Sequence, residues 1–190
     1  MSGSRRAFLK QWAAAPALAL PARAPARAVA RSSFDPWVEV RPDHLRHNIA
    51  QIQRRAGGRK VLAVLKNNGY GLGVAAAAQA LEGETAIAGF AVVTLHEAAT
   101  LRDSGVRKPV LCMGPLGEGD LTDAAGLDIE PMVYTPVGAT LERIAARRGR
   151  PVPIHVCVDT GIGRVGVPHR EAAPLIRDLA QRRGVNTRAP

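Results

Sequence analysis

Residues 61–81 read VLAVLKNNGYGLGVAAAAQAL, and this stretch decides the fold. Val61 to Leu65 is a continuous run of apolar and β-branched residues, the pattern of a parallel strand covered on both faces. The glycine-rich turn Gly69 to Gly73 comes next, and Val74 to Leu81 then reads as a helix. Lys66 closes the apolar run, which puts an ammonium group at the mouth of a buried strand.

The same unit recurs on either side. Trp37 to Val40 reads as a short strand, and Arg41 to Arg55 as a helix with Leu45, Ile49 and Ile52 spaced by four and three. Downstream, strands at Ile87 to Val93, Val110 to Met113, Ile129 to Tyr134 and Val152 to Val158 alternate with helices at Leu95 to Ser104, near Leu121, at Pro136 to Arg148 and at Pro168 to Arg182. Gly105 stands where a helix C-cap needs it. Residues 182–190 read as the end of a helix plus a polar stub. Strict alternation of strand and helix means a parallel sheet covered by helices. Periodicity alone fits a flavodoxin-like open sheet and a (β/α)8 barrel equally. Length separates them a little, because a closed eight-stranded barrel takes about 250 residues and this chain has 190.

Composition excludes several classes. At 46% hydrophobic and 22% charged the chain is globular, and two cysteines, Cys112 and Cys157, are too few for a disulfide scaffold or a four-cysteine zinc module; no metal site is read. The net charge of +10 is concentrated at the start, where Arg5, Arg6, Lys10, Arg23 and Arg27 stand without an acid. Removing those five from 26 basic residues leaves 21 against 16 acidic ones, a net +5. With aromatics at 4%, the remainder lacks the basic and aromatic interleaving of a single-strand nucleic-acid binder.

The first 30 residues have their own logic. A twin arginine, Arg5-Arg6, precedes the apolar run Trp12 to Leu20 and the small residues ending Ala28-Val29-Ala30. That is the composition of a Tat-type signal peptide over 1–30. Trp12 to Leu20 is far too short for a membrane span of about 20 residues, so the expectation is a folded protein exported to the periplasm, with residues 31–190 as its mature part.

Ligands of parallel α/β proteins sit at the carboxyl ends of the strands, so Lys66 is a candidate nucleophile or Schiff-base former. The string Lys66-Asn67-Asn68-Gly69-Tyr70-Gly71-Leu72-Gly73 resembles the K-A-D-A-Y-G-H-G lysine motif of the alanine racemase family. Trp37-Val38-Glu39-Val40 and Leu45-Arg46-His47-Asn48 look like that family's opening, and Gly89-Phe90-Ala91-Val92-Val93 with Glu97-Ala98 is similar to its second strand and helix. His155-Val156-Cys157-Val158-Asp159-Thr160-Gly161-Ile162-Gly163-Arg164-Val165-Gly166 resembles its H-x-K-x-D-T-G-M-x-R-x-G segment.

This resemblance implies a fold-type III enzyme that uses pyridoxal 5'-phosphate. Lys66 would hold the cofactor and act as one of two acid/base groups. Tyr70 would contact the phosphate, and Arg164 would sit near the cofactor's phenolic oxygen and the substrate carboxylate. The implied fold is the N-terminal part of a (β/α)8 TIM-type barrel, about five strand-helix units without the last strands or the C-terminal β-domain. The family's second base, a tyrosine reaching across a homodimer interface, would lie in that C-terminal domain, so little racemisation is expected of these 190 residues alone. Five strands of a barrel would leave the first and fifth as open edges, which predicts self-association.

The departures are specific. Leu72 replaces the motif's histidine, and Cys157 stands where alanine racemases often carry a carbamylated lysine. Exported broad-spectrum amino-acid racemases of this family also depart from the carbamylated-lysine pattern, in agreement with the twin-arginine leader. A noncatalytic remnant and another fold-type III enzyme such as a decarboxylase are the alternatives. The D-T-G-I-G-R string at Asp159 to Arg164 favours the racemase line.

Overall fold

The computed structural model describes residues 37–188; the expected signal peptide at 1–30 lies outside them. In chain order the elements are α1 (Pro42–Arg55), β1 (Val61–Val64), the one-turn α2 (Lys66–Tyr70), α3 (Val74–Glu82), β2 (Ile87–Val92), α4 (Leu95–Asp103), β3 (Val110–Cys112) and α5 (Glu118–Gly126). They continue with β4 (Ile129–Val133), α6 (Gly138–Arg148), β5 (Val152–Val156), β6 (Val158–Asp159), β7 (Val167–Pro168), α7 (His169–Gln181) and β8 (Val185–Thr187).

Strand order settles the choice that periodicity left open. The main sheet runs β1-β2-β3-β4-β5-β8, and every pairing in it is parallel. A doubly wound sheet reverses its order at a switch point. Here each strand lies beside its predecessor with no reversal. Successive right-handed crossovers in one direction put the helices on one face, which is the winding of a barrel wall.

The core accordingly lies between the sheet and its helices. Phe90, Val92, Val110, Cys112 and Ile129 pack with Ala78 and Leu81 of α3 and Ala98 and Leu101 of α4. A second group packs Val133, Val152 and Ile154 against Leu141 and Ile144 of α6 and Leu179 of α7. Helix α5 joins them, with Ala124 in the first group and Leu121 and Ala125 in the second. From α1 only Leu45 and Ile49 reach the core, while Ile52 is about half exposed.

Five expectations are corrected. Trp37 to Val40 forms no strand; both Trp37 and Val38 are exposed, and a strand without a ladder partner has nothing to hold it. β1 is covered on one face only, because Leu62 and Val64 point away from the helices and are 41% and 39% exposed. The stub after α7 contains β8, in which Val185, Asn186 and Thr187 pair with Val152, Pro153 and Ile154. The fifth strand is therefore interior, and β8 is the edge opposite β1. The run expected as one strand from Val152 to Val158 is divided, since Val158 and Asp159 leave the main sheet to pair with Val167 and Pro168.

The face opposite the helices has its own polar group. Cross-strand partners carry Val64, Ala91, Leu111 and Glu130 along this face in one row. Glu130 is 7% exposed; its Oε2 lies 2.8 Å from His155 Nε2 and its Oε1 3.5 Å from an Arg188 guanidinium nitrogen. These three line a hollow of about 400 Å3 together with Leu62 and Leu111. Burial pulls the Glu130 carboxyl upward, but the His155 hydrogen bond and the charges of His155 and Arg188 outweigh it and hold it below the usual carboxylate range. A lowered folded-state value means that Glu130 contributes stability above the unfolded carboxyl pKa of about 4.3 and loses it as pH falls through the lower folded value. Denaturant midpoints measured from neutral pH down to about 3 are thus expected to fall less steeply for Glu130→Gln than for the parent chain. Parallel slopes would mean that Glu130 is not a source of the acid sensitivity.

Candidate active site

All six strands of the main sheet point the same way, so their carboxyl ends form one rim. Lys66 opens α2 at the end of β1 and is half-buried. Beyond Lys66 the turn is not right-handed: Asn67, Asn68, Gly69 and Tyr70 have φ of 55°, 54°, 62° and 56°. For L-residues this region costs roughly 1–2 kcal/mol each, least for asparagine, and bulky residues enter it rarely. Such strain persists only where the surroundings over-determine the backbone.

The bonds that hold the turn can be named. Gly69 N donates to Leu65 O at 2.9 Å, Gly71 N to Asn67 O at 3.1 Å and Gly73 N to Asn68 O at 2.9 Å. The Asn68 side-chain oxygen accepts from Val74 N at 3.0 Å and so caps α3. An asparagine suits this position twice over, by its short acceptor and by its tolerance of positive φ. From the next unit, Glu97 Oε1 accepts from Asn68 N at 2.9 Å, while its Oε2 accepts from Val93 N at 3.2 Å and Thr94 N at 3.1 Å. Thr94 Oγ1 in turn accepts from Glu97 N, which completes a capping box on α4. Burial raises the Glu97 carboxyl, but the backbone donors of Asn68, Thr94 and Val93 together hold it below its ordinary value.

Arg164 reaches the same rim from the other side. It lies on the exposed loop between β6 and β7. Asp159 Oδ1 orders that loop by accepting from Gly161 N at 2.9 Å and Gly163 N at 3.1 Å, and these bonds hold its carboxyl low. Gly166 closes it: a Cβ there would stand 2.7 Å from Asp159 N, so the β6–β7 pairing requires glycine. Cys157 is partly buried, with its Sγ 3.7 Å from Val165 O.

The three residues singled out in the sequence thus share a rim but do not touch. Lys66 and Tyr70 belong to one turn, and Tyr70 is 62% exposed. Arg164 comes after β5 and β6, and β5 lies four strand steps from β1, which on a flat sheet is about 19 Å. Only curling of the sheet toward a barrel brings such positions to face one another. Among the described residues no hydrogen bond or ion pair engages Lys66 Nζ, the Tyr70 hydroxyl or the Arg164 guanidinium.

That donor set fits pyridoxal 5'-phosphate. An amine can condense with its aldehyde, a phenol hydroxyl can donate to its phosphate, and a fixed cation suits its phenolic oxygen or a substrate carboxylate. Residue reading from sequence missed the part played by Glu97, Asn68 and Asp159. The T-x-x-E spacing of Thr94 and Glu97 is a signal from which a helix cap could have been read; nothing in it points to the bond to Asn68.

Comparison with known proteins agrees with this geometry. Residues 40–189 match the family model described as the N-terminal domain of alanine racemase. The chain is 43% identical over 140 residues to an alanine racemase of Pseudomonas syringae pv. syringae, covering 72% of this chain and 38% of that protein. It is 37% identical over 155 residues to one from Sorangium cellulosum, covering 75% and 40%. Among solved structures, an alanine racemase from Clostridium difficile superposes with a TM-score of 0.72 at 27% identity, over 77% of this chain and 39% of that one. The chain spans about two fifths of the length of the curated relatives it matches. On strand order, rim motifs and these matches together, the chain belongs to the alanine racemase family, within the part that family's N-terminal domain occupies.

Proposed function

We propose that this chain is the lysine-bearing portion of a pyridoxal 5'-phosphate-dependent amino-acid racemase, acting on alanine or a broader range of amino acids after Tat export to the periplasm. The observation that carries the reading is Lys66: an amine at the carboxyl end of β1, on a strained and heavily bonded turn, in a chain of this family.

Bound pyridoxal phosphate supplies an electron sink that makes an α-proton of an amino acid removable. The chain's own residues then have limited tasks. Lys66 Nζ holds the cofactor and carries a proton to or from one face of the α-carbon. The Tyr70 hydroxyl donates to the phosphate, and Arg164 offers a fixed positive charge to an anionic oxygen. A proton on the opposite face needs a second group, because one amine serves one face. In the whole protein that task, and the homodimer, belong to the remaining length that the relatives have.

Two features support the broader substrate range and the export. Cys157 cannot form a lysine carbamate, and Leu72 removes an imidazole from the rim motif. The Arg5-Arg6 leader accounts for the location, since Tat substrates cross folded and a cofactor can be acquired beforehand. Among the described residues no helix is long and apolar enough to cross a membrane.

The test uses the full chain incubated with pyridoxal phosphate, reduced with borohydride and mapped by mass spectrometry. The sequence has four lysines, at 10, 60, 66 and 108, so assignment is direct. The expected result is an adduct on Lys66 in large excess over the others. An even spread across the four would remove the cofactor reading.

A further inference from the structure

We infer that Glu97 is a positioning residue for Lys66, acting through the backbone of Asn68; the inference rests on the reading that Lys66 holds the cofactor. Residues 67–70 all have positive φ, which asparagine and glycine tolerate but a bulky residue such as Tyr70 rarely enters, so local preference alone does not hold this turn. Among the described residues, Glu97 is the one side chain from outside residues 65–74 that bonds it, by the 2.9 Å bond from Asn68 N.

An ordinary helix cap does not explain that bond. A capping box needs one side-chain oxygen on the N-cap amide, and a glutamine provides it as well as a glutamate. Glu97 Oε2 already meets that need through Thr94 N and takes Val93 N besides. Oε1 is surplus to the cap and is spent on a residue 29 positions earlier. The ionised carboxylate therefore ties three backbone amides together: one on the lysine turn and two at the carboxyl end of β2. Because β2 is β1's own neighbour in the sheet, the tie fixes the turn to the strand beside it. Asn68, held by its amide, uses its side chain to cap α3 at Val74 N. Lys66 lies two residues before the tied amide, between that tie and the end of β1.

The experiment compares Glu97→Ala, Glu97→Gln and Thr94→Ala in the full chain. Three quantities are read: hydrogen exchange of peptides covering residues 65–73, borohydride trapping of pyridoxal phosphate on Lys66 across a concentration series, and the thermal midpoint. Thr94→Ala removes the hydroxyl half of the cap and leaves the bond to Asn68, so it is expected to lower the midpoint without changing turn exchange or trapping. Glu97→Ala is expected to speed exchange in the turn and to raise the pyridoxal phosphate concentration for half-maximal trapping by on the order of 10- to 100-fold, the loss expected for a hydrogen bond to a charged group. Glu97→Gln is expected to keep more of the midpoint than alanine but to shift exchange and trapping toward the alanine variant.

Unchanged turn exchange in both Glu97 variants would overturn the proposal, as would equal trapping losses in Glu97→Ala and Thr94→Ala. Should Glu97→Ala not fold, Glu97→Gln against Thr94→Ala decides by the same two readouts. A parent chain that traps pyridoxal phosphate elsewhere than Lys66 would refute the cofactor reading, and the exchange data would still show whether the tie exists.

Discussion

Lys66→Ala is expected to lose the trapped pyridoxal adduct entirely and to lower exchange of the α-proton of L-alanine by about 10²- to 10⁴-fold, the usual loss when a positioned acid or base is removed. Exchange is measured as deuterium incorporation in D2O. The same substitution is expected to leave stability within about 0.5 kcal/mol, because Lys66 is half-buried and its ammonium makes no hydrogen bond or ion pair among the described residues. Large loss of chemistry with small change in stability is the signature of a group placed for reaction rather than for packing. If the adduct persisted after the substitution, Lys66 would not be the attachment point.

Phe90→Ala is expected to have the largest effect on stability. Phe90 is fully buried on the helix face of β2, and truncation of a buried phenylalanine typically costs about 3–5 kcal/mol. Set against a total stability of about 5–15 kcal/mol, that is a fifth of the whole at the least. Leu62→Ala, on the opposite face of β1 and 41% exposed, is expected to cost well under half as much in the isolated chain. Denaturant midpoints at constant m-value compare the two directly. Similar losses would show that the face bearing Leu62 is covered after all.

Legibility in the sequence tracked the size of the physical signal. Strands β1 to β5 were readable because each is a short apolar run between helical segments, and the glycines and prolines at their ends mark the breaks. β8 was not, because Val185 is its one apolar residue and Asn186 and Thr187 look like loop. Its strand character comes from the neighbouring ladder of β5, which no local pattern reports. Trp37 to Val40 shows the converse: a short stretch with three apolar residues of four predicts a strand, but pairing is a property of two segments. The uncovered face of β1 was hidden for a related reason. An apolar run tells that a strand prefers burial, and it does not tell which covering elements are present. At the site, Lys66, Tyr70 and Arg164 were found through motif resemblance, and the structure adds how their backbone is held. The roles of Glu97 and Asp159 rest on hydrogen bonds to main-chain amides, and those depend on backbone conformation that side-chain identity does not encode.

The strand order has a consequence for how the chain acquires its shape. Each strand of the sheet pairs with one already made: Leu111 with Glu130 nineteen residues later, Val152 with Val185 thirty-three residues later. Closure entropy rises only logarithmically with loop length, so every such step faces a similar and modest barrier. None waits for a distant part of the polypeptide. Synthesis proceeds from the N-terminus, so in a wall wound in chain order each strand leaves the ribosome after the neighbour it will pair with. Everything that holds the Lys66 turn, from β1 and β2 to Glu97, precedes β4 and β5 in the chain and is translated before them.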